Sequence, residues 1–193
     1  MRGWETLVIV KVCGITRRED AEAAAEAGAS AIGFVFYPKS PRYVTPERAA
    51  ELGRGLDVWK VGIFVDESPA DVEAVTRAAH LDVVQVYGGA TPNVERVWRA
   101  VRVRPGQSVA LEASCEAVLL DGPANGVPFD WAAARSVHGN VIVAGGLDGS
   151  NVAEAIRVAR PWGVDASSRL ESAPGIKDHD KVRRFVRAAL EAE

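Results

Sequence analysis

The sequence has no long apolar run and no large excess of charge of either sign. None of its 193 residues belongs to a stretch near the ~20 apolar residues of a membrane span, and the apolar start from Leu7 to Val10 ends at Lys11, too early for a signal peptide. With 23 basic and 26 acidic residues, the formal net charge is −3, which gives no electrostatic reason to bind nucleic acid. We therefore expect a cytoplasmic protein with no membrane and no nucleic acid partner.

Cysteine and histidine are also scarce. The two cysteines, Cys13 and Cys115, are expected to stay reduced in a chain without an export signal. Cys115 lies in a polar stretch without basic neighbours, so we interpret it as structural. The three histidines show no metal-ligand spacing. The sequence thus predicts neither a disulfide nor a metal site.

β-rich segments alternate with helical patterns along the chain, as in repeated βα units around a parallel sheet. The length suits a single domain with one sizeable core. The predicted strands are Val8–Cys13, Ala31–Phe36, Lys60–Val65, Val83–Tyr87, Val97–Val103, Ala117–Asp121, Val141–Ala144 and Gly163–Ala166.

Apolar residues at helical spacing indicate three of the connecting helices, within 68–79, 152–159 and 182–190. Ser68 is placed to cap the first of them. The fourth and fifth connecting helices have room for only a turn or two, within Thr91–Glu95 and Gln107–Glu116.

Eight strands with intervening helices predict an α/β protein, a single-domain (β/α)8 or TIM barrel that is compact because its fourth and fifth helices are short. The chain lies just below the usual length of about 200 to 250 residues for that fold. A doubly wound open sheet is the alternative, but no GxGxxG follows the first strand. We expect an N-terminal extension over 1–6 and the barrel over 7–193.

Residues that can transfer protons or bind phosphate lie at the ends of several predicted strands. Cys13 ends the first strand, Asp121 ends the sixth, and a glycine pair and a serine pair follow the seventh and eighth. The carboxyl ends of parallel strands meet on one face of a barrel, where active sites of this fold lie. A thiol and a carboxyl beside phosphate-binding loops indicate proton transfer on a phosphorylated sugar.

Several motifs extend this pattern over nearly the whole chain. They are KVCGIT at 11–16, GFVFYPKSPRYV at 33–44, KVGIFV at 60–65, AVLLDG at 117–122, FDW at 129–131, AGGL at 144–147 and SAPGIKD at 172–178. In this combination and order, the chain resembles the phosphoribosylanthranilate isomerases of tryptophan biosynthesis, which convert a phosphoribosylamine to its ketose form.

The resemblance implies an isomerase that uses one acid and one base. Asp121 occupies the position of the general acid that opens the furanose ring, and Cys13 that of the base that removes the proton from sugar C2. Since an acid and a base suffice for this reaction, we expect no cofactor and no metal. Asp121 must be protonated to donate, so its pKa is expected to lie above the ordinary ~3.9.

Strand parity adds two residues to the predicted site. The two-residue period of a strand places Lys11 on the same inward face as Cys13, where we expect its charge to favour the thiolate. Asp165 is on the last strand, which neighbours the first when a barrel closes. We expect Asp165 to pair with Lys11 and hold it in the core.

The remaining expectations concern the two ends of a phosphosugar substrate. Arg42 in SPRY is expected to form a guanidinium fork with the anthranilate carboxylate. The phosphate is expected over the seventh and eighth βα loops, against the backbone of Gly145, Gly146, Ser167 and Ser168. The protein is expected to act as a monomer or a homodimer.

The sequence departs from the family pattern at four places. Tyr87 stands where the family commonly has histidine, and we expect it to stack on the anthranilate ring. The glycine-rich stretch before FDW is shortened to GPANGVP at 122–128, and Gly122 replaces a frequent threonine. Arg169 and Leu170 replace glycine and valine in the family's SSGVE. None of these changes touches Cys13 or Asp121.

Two alternative functions remain open at this point. An aldose–ketose isomerase of histidine biosynthesis would share the chemistry, but it typically uses two aspartates in a two-fold repeated barrel, which the cysteine fits poorly. A non-catalytic phosphosugar-binding barrel with a regulatory or scaffolding role would account for the altered SSRLE and the shortened loop. The retention of both proton-transfer residues argues against it.

Overall fold

The computed structural model describes residues 8–104, 112–123 and 127–192, and it contains the predicted barrel. Eight parallel strands close on themselves in sequence order, each within one residue of its predicted boundaries. They are β1 (Ile9–Cys13), β2 (Ala31–Val35), β3 (Trp59–Val65), β4 (Val83–Tyr87), β5 (Val97–Arg102), β6 (Ala117–Asp121), β7 (Asn140–Val143) and β8 (Gly163–Ala166). The predicted extension over 1–6 lies outside the described residues.

Helices pack against the outside of the strands. They are α1 (Arg18–Glu26), α2 (Pro46–Gly53), α3 (Pro69–Ala78), α4 (Val152–Ala159) and α5 (His179–Leu190), with 3₁₀ helices at Trp131–Ser136 and Ser168–Leu170. The Ser68 hydroxyl accepts a hydrogen bond from the Asp71 amide, 3.2 Å away, which is the predicted cap of α3. The apolar faces of α4 and α5 are buried, as their spacing predicts. Among the described residues, no helix is long and apolar enough to cross a membrane.

The connection between β4 and β5 forms no helix, although the sequence allowed a turn or two over Thr91–Glu95. Arg99, on the outer face of β5, covers the barrel there in place of a helix and is 8% exposed. Its guanidinium donates to the Gly88 carbonyl at 2.8 Å and to the Thr91 hydroxyl at 2.7 Å, and it forms an ion pair with Glu112 at 3.2 Å. The bond to the Gly88 carbonyl satisfies a backbone group of the loop that a helix would have satisfied internally. In the fifth connection, residues 105–111 lie outside the described residues, and with them the first half of the helix predicted over Gln107–Glu116.

Tryptophans close the N-terminal end of the barrel. Trp98 is fully buried, and its ring lies 6.4 Å from that of Trp59 and 5.8 Å from that of Trp162. The Trp98 indole donates to Glu116 at 2.8 Å, and the Arg96 guanidinium lies 4.0 Å from the Trp59 ring centroid. This tryptophan cluster was not predicted from the sequence. It fills one end of the barrel, so a ligand can enter only from the opposite end.

A small hairpin follows β8 and was not predicted. It pairs β9 (Glu171–Ala173) with β10 (Ile176–Lys177) in antiparallel fashion. Gly175 makes its turn at φ 79°, a conformation that favours glycine. The hairpin brings Glu171 and Lys177 beside the carboxyl end of β1, where the site lies.

Candidate active site

A cavity of about 750 Å³ opens at the carboxyl ends of the strands, a size typical of small-ligand sites. The last residue of seven strands, and the residue after β7, line it; they are Cys13, Val35, Val65, Tyr87, Arg102, Asp121, Ala144 and Ala166. Nine of the ten residues that the sequence assigns to the site line this cavity. The tenth, Lys11, lies beneath it, two residues before Cys13 on β1.

Cys13 is held where the surrounding backbone leaves room for a sulfur atom. A Cβ atom on Gly33, its partner on β2, would lie 2.8 Å from Sγ of Cys13 and 3.2 Å from its Cα, so a side chain there would displace the thiol. On the other side, Gly14 has φ 77° and lets the Arg42 side chain cross directly over the backbone. Cys13 and Cys115 are both free thiols in the structure.

Lys11 and Asp165 form the ion pair that strand parity predicts. Lys11 is fully buried, and its Nζ lies 2.9 Å from Oδ2 of Asp165, its register partner on β8. The ammonium also donates to Oε1 of Gln85 at 2.9 Å. Burial by itself lowers the pKa of Lys11, but the charges of Asp165 and Cys13 outweigh it and leave that pKa above its ordinary value. Lys11 is therefore a fixed positive charge beneath Cys13.

Breaking this pair is expected to destabilise the protein strongly. In Lys11→Met, the buried Asp165 carboxylate loses its counter-charge, and we expect the free energy of unfolding in urea to fall by about 3 to 5 kcal/mol. Lys60→Met is the matched control, because the Lys60–Asp82 pair is 3.4 Å long and partly exposed, and such pairs contribute about 1 kcal/mol or less. Equal losses in the two variants would contradict this account of Lys11.

The pKa of the Cys13 thiol depends on burial and on the nearby charges. Burial raises it above its ordinary value, and although Lys11 and Lys177 lower it, they do not compensate for the lost hydration and the nearby Asp165 charge. The charge of Lys11 favours the thiolate, as the sequence predicts, but it is too weak to reverse the effect of burial. The Cys13 pKa is raised because the barrel wall excludes water from the sulfur of Cys13 as well as from the ammonium of Lys11.

Asp121 lies at the end of β6 with its carboxyl in the same cavity. Burial raises the pKa of this carboxyl above its ordinary value, and the charge of Asp165 adds to the effect. Arg102, its register partner on β5, and a hydrogen bond from Tyr87 act in the opposite direction without reversing it. The predicted direction is confirmed, and it favours the protonated form that a general acid requires.

Arg42 reaches the cavity, but one edge of its guanidinium is already engaged. Its Nε and Nη2 donate to the two carboxylate oxygens of Glu171, each at 2.7 Å. Lys177, fully buried, donates to the same carboxylate at 3.0 Å and to the Ser167 carbonyl at 3.2 Å. This pair of hydrogen bonds to Glu171 fixes the plane of the Arg42 guanidinium, whose side chain crosses over Gly14. Nη1 takes no part in the pair and can bind a ligand.

The predicted phosphate side is built from two loops that meet above β7 and β8. Gly145 and Gly146 have φ of 84° and 67°, so their peptides can turn toward the cavity as only glycine does readily. Ser168 begins a 3₁₀ helix, whereas the Ser167 hydroxyl donates to the Cys13 carbonyl at 3.0 Å and couples this loop to β1. Within the described ranges, no three His, Cys, Asp or Glu side chains are grouped as metal ligands.

Comparison with known proteins decides the family. The family model described as N-(5′-phosphoribosyl)anthranilate (PRA) isomerase matches residues 10–188. The chain belongs to the PRA isomerase family. A relative from Solibacter usitatus, named N-(5′-phosphoribosyl)anthranilate isomerase, is 52% identical over 197 residues, which cover 96% of this chain and 98% of the relative.

Solved structures of the family have the same fold. The phosphoribosyl anthranilate isomerase of Thermus thermophilus superposes with a TM-score of 0.85 at 34% identity, covering 95% of this chain and 99% of that one. A second isomerase was solved with reduced 1-(o-carboxyphenylamino)-1-deoxyribulose 5-phosphate, and it matches with a TM-score of 0.79 at 36% identity over 95% of this chain and 98% of that one. A single-domain PRA isomerase barrel is therefore established.

The structure explains two of the departures from the PRA isomerase pattern. A Cβ atom on Gly122 would lie impossibly close to the Val127 carbonyl oxygen, so the approach of the loop after β6 excludes threonine at this position. Arg169 turns toward Asp148, with Nη1 3.4 Å from Oδ2, and is half exposed. It lines the cavity together with the serine pair.

Four residues of this PRA isomerase site were missed by sequence reasoning. Gln85, Arg102, Glu171 and Lys177 all act on a predicted site residue through a hydrogen bond, an ion pair or charge. Inward parity on β4 and β5 would have found the first two, because Gln85 and Arg102 each lie two residues from an interior position of the same strand. The other two lie on the hairpin after β8, which carries no comparable signal.

Proposed function

We propose that the protein is an N-(5′-phosphoribosyl)anthranilate isomerase of tryptophan biosynthesis, with Asp121 as general acid and Cys13 as general base. The observation that carries this proposal is that Asp121, whose carboxyl has a raised pKa, and the buried thiol of Cys13 line the same cavity. Arg42 lies on one side of that cavity, and the glycine and serine loops lie on the other. Family membership supplies the substrate class. The cytoplasmic location expected from the sequence stays a prediction.

In the first step, Asp121 donates its proton to the furanose ring oxygen. The bond between C1 and that oxygen breaks, and the anilino nitrogen lone pair forms the C1=N bond. The raised pKa of Asp121 supports this role, because a carboxyl that stays protonated nearer neutral pH is a more available donor. The apolar walls of β6, from Ala117 to Leu120, exclude the water that would lower that pKa.

In the second step, the Cys13 thiolate removes the proton from C2. The C–H electron pair forms the C1=C2 bond and the C1=N pair returns to nitrogen, which gives an enolamine that tautomerises to the ketone. Because burial raises the Cys13 pKa, the thiolate is a minor form before substrate binds. The buried charge of Lys11 stabilises this form directly, and the cationic Lys177 adds to it.

Substrate orientation follows from the charges at the two ends of the cavity. Arg42, held by Glu171, presents its remaining N–H groups to the anthranilate carboxylate. Gly145, Gly146, Ser167 and Ser168 receive the phosphate by their backbone. Between them, Oδ1 of Asp165 is buried without a hydrogen-bond partner among the described residues. It supplies an acceptor for a sugar hydroxyl, since an unpaired buried oxygen gains most from a donor.

Growth of a bacterial strain that lacks its own PRA isomerase tests the proposal in a cell. Expression of this chain is expected to restore growth without tryptophan, and expression of Cys13→Ser to the same level is expected not to. Failure of the wild-type chain to restore growth, with the folded protein present in the extract, would contradict the proposed activity. Binding of the reduced ketose analogue by that protein would then favour a binding-only barrel.

A further inference from the structure

Tyr87 is bound to the candidate acid rather than placed as a free ring. It ends β4 on the inward face, and its hydroxyl lies 3.2 Å from Oδ2 of Asp121. Burial and the charge of Asp121 hold the pKa of Tyr87 well above its ordinary value, so the phenol keeps its proton and donates. The sequence predicted only stacking of this ring on the substrate.

The groups that face the Asp121 carboxyl come from each neighbouring part of the barrel. Tyr87 approaches from β4, Arg102 from β5 and Asp165 from β8, and the Gly122 amide donates to the carboxyl from its own loop. Arg102 acts on the carboxyl through its charge. Among the side chains, Tyr87 is the one that hydrogen-bonds to it in the described part of the chain.

We propose that Tyr87 is a positioning residue for the general acid: its hydroxyl donates to Oδ2 of Asp121, fixes the carboxyl rotamer and leaves the transferable proton on Oδ1. This inference rests on the proposed function, because it assumes that Asp121 is the acid. A phenol suits the task, because a hydroxyl that keeps its proton can donate to one carboxyl oxygen and so favours the carboxyl proton on the other.

The hydrogen bond from Tyr87 to Asp121 is long for its type. At 3.2 Å it exceeds the 2.7 to 2.8 Å typical of hydroxyl–oxygen hydrogen bonds. Catalytic hydrogen bonds are often long in unliganded enzymes and shorten in the substrate complex. Tyr87 thereby fills the place of the family's histidine with a donor that remains neutral across the working pH range.

The test is Tyr87→Phe, which removes the hydroxyl and keeps the ring. We expect kcat to fall about tenfold with little change in KM, as one transition-state contact is lost. We also expect the pKa of Asp121 to rise, because the Tyr87 hydrogen bond lowers it in the wild type. That pKa is read by ¹³C NMR titration of aspartate-labelled protein, with the Asp121 signal assigned by its absence in Asp121→Asn.

Two further variants sharpen the result. Tyr43→Phe is the matched control, since Tyr43 is exposed and does not line the cavity; its kcat and the Asp121 titration should equal those of the wild type. Tyr87→His returns the family's residue, keeps a donor and is expected to lose less kcat than Tyr87→Phe. This rescue would not occur if Tyr87 served only as packing.

Each outcome is decisive. An unchanged Asp121 pKa, or an unchanged kcat in Tyr87→Phe, would overturn the positioning role, and the second would favour the ring-stacking role. Lack of turnover by the wild type would instead contradict the proposed function, while the titration, which needs no turnover, would still decide whether Tyr87 binds the Asp121 carboxyl.

Discussion

Replacing Cys13 by serine is expected to reduce kcat for isomerisation by about 10²-fold or more, the contribution typical of a general base. Serine keeps the size and polarity of the side chain, but its hydroxyl is far too weak an acid to form an anion beside Lys11. Substrate binding should persist, because the Arg42 and phosphate ends of the cavity are unchanged. The measurement is steady-state turnover, with the affinity for the reduced ketose analogue determined by calorimetry.

Cys115→Ser is the control for this experiment. Cys115 is also a buried thiol, but its sulfur lies 3.9 Å from the Glu112 carboxylate outside the cavity. The same substitution there is expected to change kcat little. Comparable turnover in Cys13→Ser and the wild type would show that the thiol is not the base.

Replacing Asp121 by asparagine is expected to reduce kcat by a similar factor of about 10² or more. The amide is nearly isosteric and still accepts the Tyr87 hydrogen bond, but it has no acidic proton for the ring oxygen. The loss should appear in kcat and in kcat/KM alike, because this contact matters in the transition state. Steady-state kinetics on fresh substrate measures both constants.

Asp66→Asn controls for the loss of a carboxylate from the cavity. Asp66 follows β3, lines the same cavity and has φ 62°, a left-handed conformation that asparagine tolerates well. Its variant should retain most of the wild-type kcat. If Asp121→Asn lost no more activity than Asp66→Asn, the assignment of the acid would be wrong.

Strand parity and motif order were enough to predict the barrel and the face that carries the site. Lys11 and Asp165 pair because the first and last strands must meet when eight strands close, and both residues occupy inward positions. Asp121 has a raised pKa because its strand is apolar, a property that is visible in the sequence itself. These predictions depend on local pattern and on topology alone.

The contacts that sequence reasoning missed join residues far apart in the sequence, and they depend on where each side chain points. Glu171, which binds the Arg42 guanidinium, lies 129 positions further along the chain. It belongs to a hairpin that no periodicity in the sequence indicates. The Tyr87 hydroxyl reaches Asp121 past the intervening strand β5, because both side chains point into the barrel. The pKa of Cys13 rises because of how deeply the closed barrel buries it. Such effects depend on packing that a linear pattern does not encode.

The most direct test of the central claim is turnover of freshly generated N-(5′-phosphoribosyl)anthranilate by the purified wild-type protein, followed by the loss of substrate fluorescence. The account predicts rapid conversion to 1-(o-carboxyphenylamino)-1-deoxyribulose 5-phosphate, identified by mass and by its ketose chemistry, without added metal or cofactor. Persistence of the substrate in the presence of folded protein that binds the product analogue would contradict it.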